Sequence, residues 1–181
     1  MNYKNVRSHL DKLNSKYSTS EPDYIHVQLL RSWLLFESDY NPDQMQKLQK
    51  WRDSHKSQEN TKEWIAIDIL LSLSSIYEEQ QLSIIEQKLS HVYKQILQLE
   101  KMETNPDLYD ILMFEFLSVK EHFDMQGVAL EEDTSNINKF LQSYKQDIIE
   151  HKQAQHPTKS IRGVLFSKDL DIVQMWLDQF S

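Results

Sequence analysis

The chain contains no cysteine. That removes disulfides, thiolate zinc sites, iron–sulfur clusters and cysteine nucleophiles together, and it fits a reducing, cytoplasmic setting. Glycine is almost as scarce, with only Gly127 and Gly163 in 181 residues. Phosphate-cradling loops need several glycines for close backbone approach, so Rossmann, P-loop and kinase-type sites are excluded. Tight hairpins favour Asn-Gly or Asp-Gly turns, and neither pair occurs. Long apolar runs are missing too. The longest, about 14 residues within EWIAIDILLSLSSIYEE, carries Asp68, and a bilayer needs roughly 20. The opening MNYKNVRSHLDKLNSK has no apolar core of signal-peptide length. Excess positive charge is also absent. The net charge of −8 argues against duplex binding, which runs on neutralised phosphates. These absences together predict a soluble, cytoplasmic, all-α protein with no cofactor, no nucleic-acid partner and no membrane partner.

What is present supports a packed core. The hydrophobic fraction of 39% is too high for a disordered chain, and a chain of this length folds without staples. Ser20-Glu21-Pro22, Asn41-Pro42 and Asn105-Pro106 each place a capping side chain beside a proline that suits a first helical turn. Thr61 and Ser135 are further caps. The pattern predicts about eight helices, near 2–17, 21–38, 42–57, 62–79, 81–103, 106–125, 134–153 and 168–180. Residues 1–153 form the helical domain, 154–166 a loop, and 167–181 a terminal amphipathic helix that caps the same domain or docks on a partner through Trp176.

Three segments align without gaps: EPDYIHVQLLRSWLLFE, TKEWIAIDILLSLSSIYEE and NPDLYDILMFEFLSVKEHF. Each is apolar nearly all round, and each is followed by a helix with one apolar stripe. From Leu82 that stripe runs through Ile85, Leu89, Val92, Tyr93, Ile96, Leu97 and Leu99, mostly in steps of three and four. Inner helices alternating with outer ones would bury a continuous core, as in helix-pair arrays. An irregular bundle would produce the same pattern.

In the second segment eight of the fourteen residues from Trp64 to Tyr77 are Ile, Leu or Trp. Trp64, Asp68, Ser72 and Ser75 share one helical flank. Two readings follow. The serines admit a close neighbouring helix while Asp68 finds a partner, or the strip floors a groove for a peptide or small ligand with Trp64 as anchor. An unpartnered buried carboxylate is costly, so Asp68 must be paired or wet in both. Arg31 and Glu115 occupy matching places in the other two segments and are either an ion pair or part of the same groove. Asp23 and His26 are the only acid–x–x–His pair, and Asp147–His151 suits a surface ion pair, so no metal site is expected. No Gly-x-Ser-x-Gly elbow is present, and no spacing selects a carboxylate pair for catalysis.

The inner segments HVQLLRSWLLFE, WIAIDILLSLSS and ILMFEFLSVKEHF, with their amphipathic partners, resemble tetratricopeptide-like helical repeats. The likeness is greatest to the repeat domains of peptide-sensing regulators of the Rgg and PlcR kind from low-GC Gram-positive bacteria, over about seven tenths of the chain. The repeats are longer than 34 residues and lack that family's small-residue signature. The resemblance implies a concave helical surface that binds a peptide or a helix. It does not extend to DNA binding, because the residues before Pro22 are too few for a helix-turn-helix domain. The expectation is a non-enzymatic module that binds a peptide or protein. Its alternatives are an immunity-protein or antitoxin-like inhibitor of a basic partner, a motif-less enzyme, and a homo-oligomer completed by helix 168–180.

Overall fold

The computed structural model describes residues 42–102, 106–128, 130, 133–153 and 170–180. Six α-helices lie among them: α1 (Pro42–Ser54), α2 (Lys62–Ile76), α3 (Leu82–Lys101), α4 (Pro106–Asp124), α5 (Ser135–Gln153) and α6 (Leu170–Gln179). No strand occurs among the described residues. The chain clusters into two compact units, one within Met1–Leu130 and one within Glu131–Ser181. The expected helices at 2–17 and 21–38, the loop at 154–166, Asp23, His26 and Arg31 lie outside the described residues.

In the first unit α2 is the hub, packing against α1, α3 and α4. Its sequence demands this, since a helix apolar on every side must be covered on every side. Residues Ile65–Leu71, with Leu73 and Ile76, are buried. Thr61 starts it: the hydroxyl accepts from the Trp64 N–H at 3.4 Å and the carbonyl from the Ile65 N–H at 3.0 Å, with Glu63 in the first turn to meet the dipole.

The turn at 77–81 reverses the chain, so α3 returns antiparallel along α2. Its buried residues Ile85, Leu89, Val92, Tyr93, Ile96 and Leu99 are the expected stripe. Two positions differ. Leu82 is 47% exposed because it opens the helix at the turn, and Leu97 is only half-buried. Gln95 joins the buried face instead. Helix α4 then runs parallel to α2, for the Tyr77 ring after α2 lies 5.7 Å from His122 and 6.1 Å from Phe123 near the end of α4. Tyr93 of α3 stacks on Phe116 of α4 at 5.5 Å and 15°.

Two helix ends fall three residues short of the periodicity, for local reasons. Helix α1 stops at Ser54 rather than 57: the His55 ring stacks on Trp51 at 4.2 Å, its Nδ1 meets the Trp51 carbonyl at 2.8 Å, and a 3-10 turn Lys56–Gln58 follows. Helix α2 stops at Ile76 rather than 79 because Glu79 turns to serve α3. Its Oε1 accepts from the backbone N–H groups of Gln80 at 3.0 Å and Gln81 at 3.2 Å, and Lys88 lies 3.6 Å from Oε2.

The Gln81 amide is the largest influence; desolvation opposes it, and with the Gln80 amide and the Lys88 charge the balance holds the Glu79 carboxyl below its ordinary value of 4.5. A lowered folded-state value means stability that is present above the unfolded value and lost as pH falls through the folded one. Glu79→Gln is therefore expected to lower the Tm at neutral pH and to match the parent in acid, once the folded-state carboxyl is protonated. Melting curves across that range check it, and a gap that persists unchanged in acid would refute the carboxylate's part.

The second unit is a helix pair. Val173, Trp176 and Leu177 of α6 are buried, as are Ile137, Phe140, Leu141 and Tyr144 of α5, and the two helices pack together. Asn138 Nδ2 donates to the Phe180 carbonyl at 3.0 Å. The start of α5 differs in detail from the Ser135 cap expected. Thr134 supplies the first carbonyl, accepting from Ile137 and Asn138. The Asp133 carboxylate accepts from the Ser135 N–H at 2.9 Å and its hydroxyl at 3.0 Å. Those two Ser135 bonds, with Lys139 beyond them, hold the Asp133 carboxyl below its ordinary value. A carboxylate serves better than a hydroxyl there because it adds charge at the positive end of the helix.

Candidate functional site

Trp64, Asp68, Leu71 and Ser75 recur at steps of four, three and four, which sets them on one line of α2. That line is the seat of α1. The Trp64 indole N–H donates to the Arg52 carbonyl at 3.2 Å, and Arg52 Nη1 donates to Asp68 Oδ1 at 2.6 Å. Arg52 also lies 3.4 Å from Asp53, so its guanidinium is shared between a buried and an exposed acid.

From the other side α3 reaches the same residues. Gln95 Nε2 donates to Asp68 Oδ2 at 2.9 Å, and His91 Nε2 stands 3.5 Å from that oxygen at the surface. Lys88 Nζ donates to Ser75 Oγ at 3.2 Å. Ser75 Oγ in turn donates to the Ser72 carbonyl at 2.8 Å, and Ser72 itself is half-buried. The polar strip of α2 is thus a three-helix seam whose acid is paired, as its burial requires. One group stays unmet: Gln95 Oε1 is buried and has no hydrogen-bond partner, because its amide must present nitrogen to Asp68.

At the Ser75 end the seam widens. Met45, Gln46 and Gln49 of α1 and Leu71, Ser74, Ser75 and Glu78 of α2 line an open trough of about 370 Å³. Ser74 Oγ is turned inward to the Leu70 carbonyl at 2.9 Å. The amides of Gln46 and Gln49 and the carboxylate of Glu78 lie exposed along it. A second trough of about 380 Å³ in the second unit is lined by Gln142, Lys145, Gln146, Ile149, Gln174, Leu177 and Asp178. Its polar groups largely bind one another, through Lys145 to Gln174 and Gln174 to Asp178.

Of the residues singled out in the sequence, Trp64, Asp68, Ser72 and Ser75 come together. Glu115 is buried on α4, and its proposed mate Arg31 falls outside the described residues. Trp176 is buried in the second unit. The seam's other members, Arg52, Lys88, His91 and Gln95, escape a reading of α2 alone. Gln95 carries a usable signal, being a polar residue between Val92, Tyr93, Ile96 and Leu99 on an apolar stripe. Arg52, on a largely polar helix, carries none.

No group of three or more His, Cys, Asp or Glu side chains that could hold a metal occurs among the described residues, and no described helix is long and apolar enough to cross a membrane. No family model, curated protein or solved structure matches this chain.

Proposed function

We propose that the protein is a non-enzymatic binding module that holds a peptide segment of a protein partner, with a basic residue beside Glu78, in the trough between α1 and α2. The observation that carries this reading is the lining of the trough. Leu71 and Met45 offer apolar contact, Gln46 and Gln49 offer exposed amides, and Glu78 offers an exposed carboxylate. Apolar floor with a few orienting polar groups is the usual make-up of a peptide site. The net charge of −8 adds steering toward a cationic partner. An antiparallel helix-pair array, with α2 and α4 inside and α3 outside, is the scaffold assumed.

Trp64 and Asp68 seat α1, so their removal would confuse loss of partner with loss of packing. Exposed Gln49 and Glu78 are cleaner probes. Selection of a random twelve-residue peptide library on the immobilised full chain is expected to enrich sequences containing Lys or Arg. These should bind the parent at micromolar strength and lose at least about tenfold to Gln49→Trp, which fills the trough, and to Glu78→Lys, which reverses its charge. Both variants should melt as the parent does. Absence of enrichment, or enriched peptides that ignore both substitutions, would sink the reading.

A further inference from the structure

We infer that α1 is a detachable strap, lifting off α2 about the turn at 55–61 while α2, α3 and α4 stay folded. Among its described side chains only Leu48 is buried. Met45, Trp51 and Arg52 are half-buried, and Gln46, Lys47, Gln49, Lys50, Asp53 and Ser54 are exposed. By contrast the face of α3 toward α2 and α4 buries Ile85, Leu89, Val92, Tyr93, Ile96 and Leu99. The opening free energy of a segment follows its buried apolar contact, so α1 sits at the low end.

Two side-chain bonds between α1 and α2 converge on one residue of the last turn of α1, the Arg52 guanidinium on Asp68 and the Arg52 carbonyl under the Trp64 indole. Asp68 is also ready for the release of that latch. When Arg52 leaves, its carboxylate keeps Gln95 at 2.9 Å and His91 at 3.5 Å and gains water on the vacated side. The end of α1 is meanwhile locked within itself: Ser54 Oγ donates to the Trp51 carbonyl, and the His55 ring stacks on Trp51. The helix can therefore move as a piece. Lifting it uncovers the line Trp64, Asp68, Leu71 and Ser75 and carries away Met45, Gln46 and Gln49 from the trough lining. The strap requires no occupant of that trough, so it stands or falls apart from the proposed binding.

Hydrogen exchange on the full chain, read by mass spectrometry, tests it. Peptides covering 45–54 are expected to exchange at least about tenfold faster than those covering 85–99. Arg52→Gln should raise exchange in 45–54 by about a further tenfold and leave 85–99 unchanged. Lys47→Gln, on the exposed side of the same helix, should change neither. Equal protection of 45–54 and 85–99 in the parent overturns the proposal even if the variant fails to fold. So does an equal rise in both regions on Arg52→Gln, or a rise in 45–54 on Lys47→Gln.

Discussion

Phe116→Ala is expected to lower the unfolding free energy of the first unit by about 3–5 kcal/mol, the range for emptying a buried aromatic site. Phe116 is fully buried at the centre of α4 and lies flat against Tyr93 of α3. The loss combines the transfer free energy of the ring, the cavity it leaves and the ring–ring contact, the last worth about 0.5–1.5 kcal/mol. Alanine is the better helix former by a few tenths of a kcal/mol, too little to compensate. Collapse around the site is hindered because Ile111, Leu112, Leu117 and Val119 on the same helix are themselves buried. Against a total near 5–15 kcal/mol this loss is a large share of the unit's stability. Phe116→Leu, which refills most of the space, should cost about 1–2 kcal/mol. Urea titration followed by far-ultraviolet circular dichroism measures both. A loss under about 1 kcal/mol for the alanine variant would mean that α3 and α4 do not pack through this ring pair.

Asp68→Ala is the second large effect, at about 2–3 kcal/mol, and its origin is electrostatic. The substitution removes the acceptor of Arg52 at 2.6 Å and of Gln95 at 2.9 Å. Arg52 is partly wet, with 22% of its side chain exposed, and can return to water. Gln95 cannot. Its Oε1 is already unpartnered, so losing Asp68 leaves both ends of a buried amide unsatisfied.

The same reasoning fixes the sign of a double variant. Gln95→Leu alone should be nearly neutral, since it deletes an orphan acceptor along with one bond to Asp68 and suits the apolar stripe of α3. Asp68→Ala with Gln95→Leu should then recover at least about 1 kcal/mol over Asp68→Ala alone, because removing both partners leaves nothing unpaired. Strict additivity across the four-member cycle would show that the two side chains do not interact. Because Asp68 also latches α1, the single variant should raise hydrogen exchange in 45–54 together with its global loss.

The order and limits of the described helices were largely legible from periodicity and caps, since those signals are local. Proline at 42 and 106 begins α1 and α4, Thr61 caps α2, and the three-and-four stepping from Ile85 to Leu99 is the buried face of α3. The misplaced ends, at Ser54 and Ile76, were decided by side chains reaching back or forward to the backbone, His55 to Trp51 and Glu79 to Gln80 and Gln81. Such bonds compete with the helix ladder without altering the hydrophobic pattern.

The candidate site divides along the same line. Sequence alone determined that Trp64, Asp68, Ser72 and Ser75 share a flank, because a helix has one period, and that Asp68 must be paired or solvated, because a buried charge is costly. It could not say which neighbour pairs with it. Arg52 precedes it by 16 residues and Gln95 follows it by 27, so their meeting depends on how α1 and α3 lie against α2. Tertiary packing alone decided that the strip is a seam over most of its length and opens into a trough only beyond Leu71. The reason is physical: helical periodicity dictates which face a residue occupies, while what covers that face depends on helices remote in sequence.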